Sequence, residues 1–199
     1  ANIPDLRIDP NFYKALALLP SSYLNYFFLE SEVIETLQKK AMTRAQEVMA
    51  VEETLLAHYK NPNLTEKPPE LEKRGGAHYS TAAVELIESI YSSNNLKHVV
   101  NTANNGAISD LPAEAAVEVT CAVTGRGAVP LVSGPLPVAV RELVQHVKAY
   151  EELTVEAAVT KSWSKALLAL SSNPLVRSVN KAAWLLDQFD RRHQLGLQK

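Results

Sequence analysis

Strand-like runs cluster in one stretch of this chain, residues 97–132, and helical repeats flank it on both sides. Lys97 to Thr102 and Val117-Glu118-Val119-Thr120-Cys121-Ala122-Val123 alternate or cluster β-branched residues. Gly125-Arg126-Gly127 turns the second run into a third, Val129 to Val132. Helices, then strands, then helices is not the order of a βαβ protein. It predicts an α+β domain, predominantly helical with a small central sheet.

The flanking helices carry their own start signals. Ser21-Ser22 before the aromatic run Tyr23 to Leu29 predicts a largely buried helix entered at a serine cap. Thr43 and Gln46 have capping-box spacing. The repeat of Ala45, Val48, Met49, Leu55, Leu56 and Tyr59, interrupted by Glu52, predicts a long amphipathic helix. Asn61-Pro62 and Lys67-Pro68-Pro69 make residues 61–73 a poor helix and an exposed connection. Ala83, Leu86, Ile87, Ile90 and Tyr91 mark a further helix. After Pro135-Leu136-Pro137 helices are expected from about Val138 to Thr160, from the Ser162 cap through Leu170, and from the Ser178 cap to about Gln194.

A formal charge of −2 with 21% charged residues gives no polyanion-binding excess, so nucleic acid is not an expected partner. The single cysteine, Cys121, excludes an intrachain disulfide and a Cys-based zinc cluster within this chain, and it fits a reducing, cytoplasmic setting. No apolar run approaches the roughly 18 residues that span a bilayer, and no signal-peptide pattern opens the chain, so no membrane is expected. The opening Ala1-Asn2-Ile3-Pro4, without an initiator methionine, is read as a processed chain or, in preference, one cut from a longer protein.

None of the seven glycines forms a strand-to-helix G-x-G-x-x-G or a phosphate-binding P-loop, so this sequence has no dinucleotide fingerprint of its own. The five histidines lack zincin spacing, and no metal site is specified. Three segments carry the remaining chemistry. Arg74-Gly75-Gly76-Ala77-His78-Tyr79-Ser80 combines a guanidinium, an imidazole and a phenol around a glycine pair and a helix start. By composition alone it reads more readily as a capped loop in which Tyr79 packs. Asn101-Thr102-Ala103-Asn104-Asn105-Gly106 is a tight-turn signal whose three neutral amides can also meet sugar hydroxyls. Glu151, Glu152 and Glu156 recur on a helix, as on a solvated face.

Taken in order, Arg74 to Ser80, Val100-Asn-Thr-Ala-Asn-Asn-Gly-Ala-Ile108, Leu111-Pro112, Val117-Glu-Val119, Tyr150 to Ala158 and Ala169 to Val176 resemble the C-terminal half of glycoside hydrolase family 4. The Gly-Gly-Ala-His-Tyr-Ser form and Pro135 to Leu143 look most like the 6-phospho-β-glucosidases of that family. The resemblance implies the C-terminal fold shared by lactate dehydrogenase and family 4 glycosidases. It also implies that residues 1–199 are the substrate-side and oligomerisation domain of a longer enzyme, with the NAD-binding Rossmann domain outside this chain. The implied substrate is a phosphorylated disaccharide or β-glucoside, the cofactors NAD and a divalent metal such as Mn2+, and the assembly a homo-oligomer.

The family is one that departs from the two-carboxylate rule of glycoside hydrolysis. Its implied chemistry is oxidation at C3 by NAD, proton removal at C2, elimination of the aglycone, addition of water and return of the hydride. By resemblance Tyr79 is the candidate base, which requires a nearby cation because a free phenol, with a pKa of about 10, is a poor base at neutral pH. Arg74, His78, Asn101, Asn104 and Asn105 are the implied substrate-binding residues. The nucleotide loop and the metal-binding cysteine and histidine precede the matched region, so Cys121 is read as a small buried residue and the chain alone as an incomplete enzyme. Ala103 stands where family members often carry a basic residue, a role that Arg74 or His78 would then take. Two alternatives remain: a non-catalytic binding module of the same fold, and a parent specific for an α-linked or unphosphorylated glycoside.

Overall fold

The computed structural model describes residues 7–74 and 79–198, which fall into two compact units, residues 1–88 and residues 89–199. In the first unit α1 (Pro10–Leu16) starts at Asp9, whose carboxylate accepts the Asn11 N–H, with Pro10 at the first helical position. The sequence reading missed this helix although Asp-Pro is a start signal. The aromatic run is not one helix. Ser21 caps a 3-10 turn (Ser22–Leu24) that leads into α2 (Asn25–Phe28), and Leu29, at φ −127°, breaks the path before α3 (Glu30–Gln38). Nor is the run largely buried: only Asn25 is enclosed and Tyr23 is exposed, while Phe28 packs edge-on against Phe12 and Phe27.

Helix α4 (Arg44–Tyr59) opens with the expected capping box, in which Thr43 accepts the Gln46 N–H and the Gln46 side chain accepts the Thr43 N–H. The region 61–73, expected to be a connection without helix, contains the start of α5 (Glu70–Arg74), which packs on α4. Pro68 and Pro69 are tolerated because they precede the helix, where no N–H donor is needed; the Pro68 carbonyl accepts the Leu71 N–H. Helix α6 (Tyr79–Ser92) forms as its periodicity predicts. Yet Ile87 and Tyr91 are exposed, and the one enclosed residue is Ser89.

The second unit is built on an antiparallel sheet in the order β1 (Leu96–Ala103), β2 (Ala116–Thr124), β3 (Gly127–Pro130). Leu96 pairs with Val123 and Ala103 with Ala116, and the two-residue turn Gly125-Arg126 joins β2 to β3. A Cβ on Gly125 would lie 2.7 Å from Ser93 Oγ, so the turn depends on a glycine for its approach to the end of α6. Val117, Val119, Cys121 and Val123 alternate inward along β2 and form the centre of this core. Three helices follow, α7 (Val138–Thr160), α8 (Trp163–Ser172) and α9 (Val179–His193), with α8 packed on both others. Ser162 and Ser178 cap α8 and α9 by accepting the N–H groups of Lys165 and Lys181. Arg191, Arg192 and His193 place basic side chains at the negative end of the α9 dipole. The architecture is the expected α+β one, mainly helical with a small sheet.

Candidate functional site

The three asparagines meet at the end of β1, but the structure gives each a different task. Asn101 lies on the exposed face of β1, opposite Glu118 of β2 and in line with Lys97, Val99 and Ala103. The other face turns inward, where His98 Nε2 lies 2.7 Å from Ser89 Oγ. Beyond Ala103 the chain leaves the sheet and turns. Asn105 and Gly106 have φ of +46° and +83°, and the Ala107 N–H donates to the Asn104 carbonyl at 2.8 Å. Positive φ at both central positions is what an Asn-Gly pair tolerates and most residues do not. The turn leaves Asn105 exposed.

Asn104 points the other way and is fully enclosed. Its Nδ2 donates to the carbonyls of Ile108 at 2.9 Å, Leu111 at 3.0 Å and Pro112 at 3.0 Å, and its Oδ1 accepts the Ile108 N–H at 2.7 Å. Two amide hydrogens serve three carbonyls. A buried amide so committed has no hydrogen left for a sugar hydroxyl, so the expectation that Asn104 lines a sugar site gives way to a role as fastener of the loop. Sequence reasoning could not separate it from Asn101 and Asn105, because all three are the same residue type in one turn.

Tyr79 opens α6 with 80% of its surface exposed, so it does not pack in the core of its unit. Arg74 closes α5, and His78, with Gly75, Gly76 and Ala77, lies outside the described residues. Arg74 and Tyr79 belong to the first unit and the three asparagines to the second, each described within its own unit.

Among the described residues no group of three or more His, Cys, Asp or Glu side chains is gathered as a metal would require. Cys121 is fully buried, its Sγ 3.6 Å from the Val119 carbonyl, and burial pushes its thiol pKa up, away from the thiolate that binds metal. The described residues therefore do not fit a metal centre of this chain's own. No helix among them is long and apolar enough to cross a membrane.

A mainly helical α+β architecture with exposed amides at the end of a short sheet does not by itself name a class of protein. Comparison supplies it: residues 1–176 match the family 4 glycosyl hydrolase C-terminal domain, and the chain belongs to that family. It is 46% identical over 199 residues to the probable 6-phospho-beta-glucosidase of Bacillus subtilis (strain 168), covering 98% of this chain and 45% of that protein. With the 6-phospho-beta-glucosidase of Escherichia coli (strain K12) the identity is 39% over 98% of this chain and 44% of the relative. The solved structure of the Thermotoga maritima 6-phospho-beta glucosidase with manganese, NAD+ and glucose-6-phosphate is similar at a TM-score of 0.88 and 35% identity, over 96% of this chain and 46% of that one. The chain thus spans less than half the length of the curated relatives it matches.

Proposed function

We propose that this chain is the C-terminal, substrate-side domain of a longer, cytoplasmic 6-phospho-β-glucosidase, and that alone it is inactive. The observation that carries the reading is the 46% identity to a 6-phospho-beta-glucosidase over 98% of the chain, against 32% or less for the phospho-α-glucosidases among the relatives. The substrate is a phosphorylated disaccharide or other 6-phospho-β-glucoside. NAD and a divalent metal, present in the solved relative, are held mainly by residues outside 1–199. The exposed amides of Asn101 and Asn105 hydrogen-bond sugar hydroxyls, and Arg74 and His78 meet the anionic end of the substrate. Tyr79 takes the proton from C2. It is a solvent-facing phenol rather than a core residue, which supports the assignment. The exposed apolar side chains of α6, Ile87 and Tyr91 among them, support contacts with the NAD-binding domain or a second copy in a homo-oligomer.

The test is hydrolysis of a chromogenic 6-phospho-β-glucoside by the full-length parent and by residues 1–199, with NAD and manganese. The same assay is run on the α-anomer and on the unphosphorylated glucoside. Turnover of the phosphorylated β-substrate by the parent alone is expected. Preference for either of the others assigns a different substrate, and inactivity of the parent on all three leaves a non-catalytic module. Tyr79→Phe in the parent is expected to abolish exchange of the C2 hydrogen with solvent deuterium. Tyr23 is the control, since it is also an exposed tyrosine: loss in Tyr23→Phe with retention in Tyr79→Phe moves the base to residue 23.

A further inference from the structure

Residues 104–115 separate β1 from β2, whereas two residues suffice between β2 and β3. Closing a loop of that length costs entropy that contacts must offset; Asn104 supplies some from within, and others come from outside it. Three side chains on one face of α7, spaced i, i+4 and i+7, hold it and the strand it enters: Arg141 and Gln145 reach the loop, and Lys148 the first residue of β2. Arg141 Nε lies 3.4 Å from Asp110 Oδ2, Gln145 Nε2 donates to the Asp110 carbonyl at 2.9 Å, and Lys148 Nζ donates to the Ala116 carbonyl at 2.6 Å.

Asp110 is also held from the segment that leads into α7. Its Oδ2 accepts the Leu136 N–H at 2.5 Å, and Arg141 Nη2 donates to the Leu136 carbonyl at 2.9 Å. The same segment grips the loop one residue past the Asn105-Gly106 turn, where the N–H groups of Ser133 and Gly134 both donate to the Ala107 carbonyl, at 2.8 and 3.1 Å. Ser109 N–H returns a bond to the Gly134 carbonyl at 3.2 Å. Asp110 therefore joins the turn-bearing loop to both α7 and its lead-in.

We infer that Asp110 is a positioning residue, tying the Asn105-Gly106 turn to α7 so that the amides of Asn101 and Asn105 stand preformed for sugar hydroxyls. This deepens the function proposed above and rests on it. Neutral amides gain only about 1 kcal/mol from each hydrogen bond. A sugar wall made of them works only when several are in place before the substrate arrives, so that binding does not also have to order the loop. Asp110 acts through its neighbours: its Oδ2 both accepts the Leu136 N–H and pairs with Arg141, and its side chain is 20% exposed.

The experiment uses the full-length parent with the phosphorylated β-substrate. Asp110→Ala is expected to raise KM roughly tenfold, the equivalent of one or two weakened hydrogen bonds, with kcat changed less than about twofold, because the wall holds ground and transition states alike. Asp110→Asn keeps an acceptor for the Leu136 N–H and is expected to restore KM to within about threefold of the wild type. Folded Asp110→Ala with a wild-type KM overturns the proposal, as does a lowered melting temperature unaccompanied by any change in KM. Should Asp110→Ala fail to fold, Gln145→Ala loosens the same face of α7. A raised KM there supports the inference and an unchanged one overturns it. Absence of turnover by the wild-type parent is a separate result, which removes the functional reading itself before Asp110 is tested.

Discussion

Replacing Asn104 by aspartate changes two atoms' worth of chemistry at a side chain with no solvent exposure, and the consequence can be worked from its partners. The amide donates to three carbonyls, those of Ile108, Leu111 and Pro112, and accepts the Ile108 N–H. A carboxylate keeps the last bond and turns negative charge onto the three carbonyl oxygens. Pro112 is exposed and its carbonyl can turn to water, but Leu111 is buried, and the Ile108 carbonyl lies with it in the loop. The carbonyls of Ile108 and Pro112 keep the N–H groups of Leu111 and Ala115, so the Leu111 carbonyl alone is left unsatisfied, a loss of about 1 to 3 kcal/mol at pH 7 against the 5 to 15 kcal/mol typical of a domain. The loss is also pH-dependent. Burial among carbonyls raises the aspartate pKa in the folded state above its unfolded value of about 3.9, so the protonated acid is the form the fold prefers. The penalty is therefore small below about pH 4 and grows as pH rises through and above the unfolded pKa. Urea unfolding of Asn104→Asp and Asn104→Ala from pH 3.5 to 8, each referenced to wild type, reads this directly. A destabilisation below about 1 kcal/mol at pH 7, or a gap between the two variants that does not change with pH, refutes the reasoning.

Two further outcomes follow from the same structure. Thr43→Ala removes the capping box of α4 and is expected to cost about 0.5 to 2 kcal/mol in chemical unfolding, with Thr43→Ser close to wild type; equal effects of the two substitutions would show that the cap is not what Thr43 supplies. The Cys121 thiol is expected to resist a water-soluble thiol reagent at pH 8 until urea unfolds the chain, and rapid reaction of the native protein would contradict its burial. Because its pKa is raised in the folded state, its contribution to stability is complete below the unfolded thiol value of about 8.5 and declines as pH rises above it. Cys121→Ala should lose stability less steeply between pH 8.5 and 10.5, and an identical slope would dismiss the linkage.

The sequence by itself determined the elements whose cause is local. The Thr43-Gln46 box, the Ser162 and Ser178 caps, the alternation of β2 and the Asn105-Gly106 turn depend on residues within a few positions of one another, and all appear in the structure. The ordered motifs along the chain likewise carried the family, which the match over residues 1–176 shows. Tertiary structure decided what those residues meet. The apolar spacing of α6 marks a helix but not what it meets: Ile87 and Tyr91 are exposed and Ser89 is enclosed beside His98. Nothing in the sequence marks Arg141, Gln145 and Lys148, yet from α7 they hold Asp110 and Ala116, about thirty residues earlier. Three asparagines that read alike divide into two exposed amides and one buried fastener. Helix caps and turns are written in short-range geometry. Which surface is buried, and which polar group finds its partner there, is fixed only when distant segments close around it.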